Sequence, residues 1–228
     1  EAERRRVEGS VARTVEQARS RGAKTTAVLL DGEPPSAIVS HIIDHRYDLV
    51  IVMDNPGHTF VQLFTKRLPT RILRMSPSPV WVIKPHSEVR IRRIVAALEL
   101  GSVNETPENA DLAILAFAGR LARQVSCKMD IVHAWDFEGQ ELETSRSELT
   151  PQLRQALYRR NRSAHARALG KTLTRANLKG IEYETHLLKG SPDRVLLEFS
   201  KENDSDLIVA GMKSRTGIDR LAYGDLLE

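Results

Sequence analysis

Residues able to carry covalent chemistry are scarce in this 228-residue chain. It has no Gly-x-Ser-x-Gly elbow, Walker lysine or pair of catalytic carboxylates. Its single cysteine, Cys127, excludes an intrachain disulfide and a thiolate metal cluster built from this chain alone, and fits a reducing compartment. Seven histidines offer ligand chemistry, and His41 and His45 stand at the i,i+4 spacing of one helix face. The glutamate of the zinc-protease pattern is missing beside them and no third ligand is evident, so solvated or capping roles are expected. An enzyme lacks candidates, and binding is the remaining chemistry. In an open parallel sheet, ligands bind beyond the carboxyl ends of the strands where strand order reverses. Three strand-like runs end at Glu99, Ala134 and Gly211, and Gly211 opens the informative stretch GMKSRTGIDRLAYGD.

The elements that must position those three residues are legible. RRIVAALEL is a continuous β-branched and apolar run of the kind buried on both faces of a parallel sheet. Thr106 and Pro107 predict the start of a helix whose Ile114, Ala118, Leu121, Ala122 and Val125 recur at helical spacing. KMDIVHAWDF follows as a second strand, and Thr150 with Pro151 opens a long helix to about Asn177. IEYETHLL is the third strand, Ser191 to Asn203 the third helix, with Ser191 as N-cap and Pro192 first in the helix, and DLIVAG the fourth strand. The alternation predicts a parallel sheet with helices on both faces.

The chain also matches itself without gaps at an offset of 158. LLDGEPPSAIVSHIIDHRYDLVIVM pairs with LLKGSPDRVLLEFSKENDSDLIVAG, so that Gly22 meets Gly180, Gly32 meets Gly190, Pro34 meets Pro192 and Asp48 meets Asp206. Spacing held over that stretch implies duplication. The expected organisation is a first domain over 1–86, a linker over 87–93 and a second domain over 94–228. The first copy begins at its second helix and keeps a last helix and strand, FVQLFTKRLPTRILRM and PVWVIKP. The opening EAERRRVEG reads as the middle of a helix, so the expectation is a chain that starts inside a longer protein, and the second copy stops short of its own last strand.

Composition narrows the class of partner. A formal charge of +4 is mildly basic, much of it carried by Arg154, Arg159, Arg160, Arg162, Arg167, Lys171, Arg175 and Lys179. These alternate with Leu153, Ala156, Leu157, Ala164 and Ala168, which predicts a solvated basic face on a helix rather than a nucleic-acid groove. Aromatic residues at 5% leave little for stacking on bases. No apolar run reaches the roughly 18 residues that span a bilayer, and no leader pattern is visible, so the cytoplasm is expected.

RRIVAALELGS, VHAW, LLKGSP, SDLIVAG and SPSPVWVIKP resemble the universal stress protein family, and the doubled arrangement is similar to its tandem, E-type members. The resemblance covers the whole chain. It implies two tandem α/β domains, each an open parallel sheet of adenine nucleotide α-hydrolase type with strand order 3-2-1-4-5. It also implies a phosphate loop after the fourth strand: a Gly, two residues, a second Gly, nine residues, then Gly followed by Ser or Thr. Gly211 holds the first position, Ser214 the second glycine's, Gly224 the third glycine's and Asp225 the hydroxyl's, with Arg215 where the family often has a basic residue. Glycines there let backbone N–H groups approach phosphate oxygens, and the last one opens a helix whose N-terminus favours an anion. Ser214 adds a β-carbon, and Asp225 sets a carboxylate against phosphate, a repulsion of roughly 1 kcal/mol at 4 Å in water and more when sheltered. Glu99 occupies the family's acidic adenosine-contacting position and Ala134 its small apolar position against adenine. His133 in VHAW matches a common strand residue, alongside ordinary packing at a strand end.

The implied function is a stress-response regulator that binds an adenosine-like or other small ligand without catalysis. Two alternatives stay open: an ATP-binding, weakly ATP-hydrolysing member, and an interaction module of a larger protein. An adenine nucleotide such as ATP is the cofactor the family implies, and Asp225 opposes its triphosphate. In the first copy Met53 replaces Gly211, Pro56 replaces Ser214, and Lys66 and Arg67 fall where Gly224 and Asp225 stand, so backbone access is lost. Asn55, Pro56 and Gly57 predict a tight turn, and Pro69 an interruption of the helix that follows. The family further implies that the two copies pair as an intramolecular pseudo-dimer, with homodimerisation also open.

Overall fold

A computed structural model describes residues 2–53, 68–83, 90–100, 109–135 and 150–211. Packing divides the chain into two compact units, 1–47 and 48–228.

The first unit holds α1 (Ala2–Ser20) and α2 (Pro34–His45). Glu33 caps α2: its carboxylate accepts from Ser36 N at 3.4 Å and from Ser36 Oγ at 2.9 Å, while Pro34 and Pro35 fill first-turn positions that need no N–H. Arg46, at φ 50°, stops the helix and returns its N–H to Ile42 O at 2.9 Å. The rings of His41 and His45 serve that end. His45 Nδ1 donates to His41 O at 3.0 Å, and His41 Nε2 bonds the Tyr47 hydroxyl at 3.0 Å.

Residues 23–31, a β-rich run preceding α2, form no strand. A strand is held by a ladder on a neighbouring strand, and among the described residues none pairs with this run. Its apolar side chains are accordingly open to water, Val28 at 55%, Leu29 at 44% and Leu30 at 37%.

The second unit begins with β1 (Val50–Met53), α3 (Leu68–Met75) and β2 (Val80–Ile83), in which β1 and β2 pair in parallel from Val50↔Val80 to Met53↔Ile83. Pro69 stands in the first turn of the described α3, a position proline tolerates; the preceding residues that would test an interruption lie outside the described ones. Asn55, Pro56, Gly57, Lys66 and Arg67 also lie outside the described residues.

The unit continues with β3 (Arg93–Leu98), α4 (Asn109–Val125), β4 (Lys128–Trp135), α5 (Pro151–Arg175), β5 (Tyr183–Lys189), α6 (Pro192–Glu202) and β6 (Leu207–Ala210). Its four strands form a parallel sheet in the order β5-β4-β3-β6. β3 is buried through to Leu98 because both of its faces are covered. Ile94, Ala96 and Leu98 pack with Met129, Ile131 and the Ile114, Leu115, Ala118 stripe of α4, whereas Val95 joins Val132 and Phe199 of α6. Each such aliphatic side chain contributes roughly 1.5–3 kcal/mol on burial. Gly119 permits the close approach: a β-carbon there would lie 2.8 Å from Ile181 Cδ1.

Thr150 caps α5 through its hydroxyl, which accepts from Leu153 N at 3.3 Å. The expected apolar face of α5 needs correcting at its start. Leu153 and Ala156 are exposed, and the covered stripe is carried by Leu169 and Thr172 with Leu157, Tyr158, Ala164, His165 and Ala168 half-buried. Helical spacing alone therefore overstates how far the buried stripe extends. The eight basic residues from Arg154 to Lys179 are all exposed.

Candidate functional site

The sheet order puts β3 between β4 and β6, and the chain leaves β3 by one face and returns to β6 by the other, so the carboxyl ends of β3 and β6 flank the reversal of strand order. Glu99 follows β3 directly, Ala134 is the penultimate residue of β4, and Gly211 follows β6 directly. The registers Leu98↔His133, Ala134↔Leu188 and Ala97↔Ala210 bring these three residues to one edge of the sheet. Glu99 is exposed, and Ala134 and Gly211 are half-buried. Ser214, Arg215, Gly224 and Asp225 lie outside the described residues, as do Thr106 and Pro107.

The turn after β3 is fixed by a buried carboxylate that the sequence did not single out. Asp111, 2% exposed in the first turn of α4, accepts from Glu99 N through Oδ1 and from Leu100 N through Oδ2, both at 3.1 Å. Leu100 is held at φ 50° in that turn. The two bonds fix the backbone at Glu99 and therefore the point from which its carboxylate reaches outward. A charged acceptor serving two backbone donors outweighs the left-handed strain at Leu100, about 2–3 kcal/mol per bond against about 1 kcal/mol.

Beside it, two imidazoles form a chain with defined proton positions. His133 is 2% exposed and its Nδ1 lies 3.0 Å from Leu98 O. A carbonyl only accepts, so Nδ1 of His133 carries a hydrogen and donates. Its Nε2 lies 3.0 Å from Nδ1 of His165 on α5, and burial pushes the His133 pKa down, so the ring is neutral and its Nε2 accepts from His165 Nδ1–H. His165 in turn stacks on Trp135 with centroids 5.3 Å apart, Trp135 meets Tyr158 at 5.4 Å, and Lys189 Nζ lies 5.2 Å from the Tyr158 ring centre. Trp135 is 3% exposed, so the row packs beneath the edge as an apolar floor and ends in an exposed cation, Lys189. Of its members, sequence reasoning reached only His133. His165, Tyr158 and Lys189 are scattered through a basic helix and a strand end, and their only advance signal was the i,i+7 spacing of Tyr158 and His165 on one face of α5.

An open parallel sheet covered on both faces, with polar groups gathered where the strand order reverses, defines an α/β domain of nucleotide-binding-like type. The Universal stress protein family profile matches residues 91–228, and the chain belongs to that family. It is similar to the Universal stress protein E of Photorhabdus laumondii, 23% identical over 203 residues that cover 88% of this chain and 63% of the relative. The Universal stress protein E of Escherichia coli K12 is 24% identical over 203 residues, 88% of this chain and 62% of that protein. The chain thus matches somewhat under two thirds of these relatives' length. Among solved structures, a putative universal stress protein from Pseudomonas aeruginosa superposes with a TM-score of 0.66 at 16% identity, over 95% of this chain and 71% of that one. A universal stress protein from Archaeoglobus fulgidus superposes with a TM-score of 0.63 at 16% identity, over 94% of this chain and 67% of that one. Among the described residues, no helix is long and apolar enough to cross a membrane.

Proposed function

We propose that this chain is a stress-response binding protein whose second copy takes an adenosine-like or other small ligand at the carboxyl edge of β3, β4 and β6, without catalysing its turnover. The observation that carries this reading is the convergence of Glu99, Ala134 and Gly211 on the edge where strand order reverses, with Glu99 held by the Asp111 clamp. Trp135 and the His133–His165 pair pack beneath the same edge, and an apolar floor with a neutral imidazole pair suits an uncharged group better than a triphosphate. Ser214, Arg215, Gly224 and Asp225 complete the proposed site, with Asp225 opposing phosphate oxygens.

The reading extends to organisation. The two-stranded sheet β1–β2 and the four-stranded sheet β5-β4-β3-β6 overlap through the 158-residue offset, which supports the order 3-2-1-4-5 for each copy. We take 1–86, 87–93 and 94–228 as first domain, linker and second domain, the two copies pairing as an intramolecular pseudo-dimer, in a cytoplasmic protein. Scattering from the full-length protein that gave two separated lobes would remove the pairing.

Mass spectrometry of ligand released from the purified protein tests the central claim, with a nucleoside-like or other uncharged compound expected. Retained ATP would overturn the exclusion of triphosphate and favour the ATP-binding alternative. Calorimetry should show that Asp225→Ser combined with Ser214→Gly tightens ATP binding by about tenfold, the equivalent of roughly 1.4 kcal/mol. No gain would mean that the loop is only a turn and would favour the interaction-module alternative.

A further inference from the structure

At the opposite, amino-terminal end of the same sheet, three potential ligand atoms of mixed chemistry converge. Asp130 on β4 and Glu184 on β5 are register partners, and His186 lies two residues along β5 on the same face, the one covered by α6. The carboxylates of Asp130 and Glu184 and an imidazole nitrogen of His186 all lie within 4.8 Å of one another. We propose that Asp130, Glu184 and His186 form a binding site for a divalent transition metal of the zinc class.

The geometry is built rather than incidental. Asp130 is 2% exposed, and its Oδ2 is fixed by Arg93 Nε at 2.5 Å, with Arg93 also reaching Oδ1 at 3.2 Å. Arg93 is itself anchored, because Asp206 Oδ2 accepts from Arg92 N at 2.7 Å and from Arg93 N at 3.0 Å. His186 points Nε2 at Asp130 Oδ1 from 2.8 Å, its ring set against Phe199 of α6 with centroids 4.6 Å apart. Nε2 of a neutral His186 gives up its hydrogen to the tautomeric Nδ1 position and so gains the lone pair a metal requires. The ion then takes the place of the hydrogen between Nε2 and Oδ1.

Metal–donor bonds of about 2.0–2.2 Å set donors roughly 3.3–3.6 Å apart in a tetrahedron. Reaching that from the present spacing needs a small opening between Asp130 and His186 and an inward swing of Glu184, which is exposed and free to change rotamer. Arg93 keeps its hold on Oδ2 and orients the ligating carboxylate as an outer partner. Two carboxylates offset the dication in part, since Arg93 already balances one of them, and the imidazole favours zinc-class ions over calcium or magnesium. Three protein donors leave the fourth position to water or another small ligand. The matched positions of the first copy, Thr26 for Glu184 and Val28 for His186, supply neither donor, so the site belongs to the second copy alone.

Calorimetric titration of the chain with Zn2+, repeated with Co2+ to read the visible bands of a four-coordinate ion, tests the site. One ion per chain is expected, with His186→Ala and Glu184→Gln each weakening binding by at least about tenfold and His41→Ala leaving it unchanged. Zinc binding that is absent from the starting protein, or unaltered in His186→Ala, would overturn the proposal and leave the group as an ion-pair network. Should His186→Ala fail to fold by circular dichroism, Glu184→Gln at its exposed position decides alone, and unchanged affinity there would overturn the site.

Discussion

Residues 22–53 and 180–211 carry one sequence pattern twice, and the two runs agree in backbone while differing in what surrounds them. Gly22 and Gly180 have φ of 85° and 75°, Gly32 and Gly190 of 119° and 136°, and Arg46 and Asp204 of 50° and 49°. The helices between them start at matched prolines, Pro34 and Pro192. The strand before each helix differs. Tyr183–Lys189 lies in register on β4 and half-buries Leu187 and Leu188, whereas the matched Leu29 and Leu30 sit in an unpaired run, exposed at 44% and 37%. Turns and helix ends follow from short-range chemistry and recur wherever the pattern recurs. A strand depends on a neighbouring backbone and recurs only with its partner.

The sharpest way to widen that contrast is at Asp130, which pairs in register with the β5 strand that the first run does not form. Asp130→Asn removes the charge that faces Arg93 and His186 and is expected to cost about 3 kcal/mol, the low end for a buried pair because Arg93 is partly exposed. A urea midpoint that barely moves would mean that the network carries little of the fold. Acid should act in the same place. Burial alone would raise the Asp130 pKa, but the hydrogen bonds from Arg93 and His186 outweigh it and hold the group below the ordinary carboxylate range. A lowered folded value means stability that is present above about pH 4 and lost as pH falls through the folded value. Burial also lowers the His133 pKa, so below about pH 6.5 the unfolded chain takes up a proton that the folded one does not. Denaturation followed from pH 7 downward should therefore show stability falling first below about pH 6.5 and again below about pH 4. A flat profile between pH 7 and 5 would contradict the burial of a neutral His133.

A smaller difference separates the two glycines that precede the helices. Both occupy conformations that L side chains rarely adopt, so alanine is expected to cost about 1–2 kcal/mol at either. At Gly190 the new β-carbon would also lie 2.7 Å from Val195 Cγ1, while at Gly32 the nearest atom is Ala37 Cβ at 3.9 Å. Gly190→Ala should therefore exceed Gly32→Ala by about 1–2 kcal/mol of overpacking. Equal costs would show that α6 shifts to accept the methyl group.

These contrasts also explain what could be read in advance. RIVAAL announces a buried strand by composition, and Thr150-Pro151 announces a helix start, because each signal is complete within a few residues. The equivalence of Asp48 and Asp206 was visible, but its reason was not: Asp206 ties β6 to the start of β3 across more than 110 positions, a link no local pattern encodes. The same holds at the carboxyl edge of the sheet. Glu99, Ala134 and Gly211 were reached from strand ends, while Asp111, His165 and Tyr158 matter only through contacts that the folded sheet creates. The Asp130–Glu184–His186 group escaped notice because its members sit on two strands, separated by a 25-residue helix.

The smallest expected effect tests the shared part of the pattern. Arg46 and Asp204 end their helices in the left-handed region, where a β-carbon costs about 1 kcal/mol relative to glycine. Glycine recovers that strain but adds freedom to the unfolded chain, which returns about half of it. Arg46→Gly and Asp204→Gly should each stabilise the protein by about 0.5 kcal/mol, and by the same amount within error, because both side chains are exposed and the backbone angles match. A gain at Asp204 alone would mean that the helix end in the first copy depends on its surroundings, as its strand does. Equal gains would show that the duplicated turn chemistry acts independently of the sheet beside it.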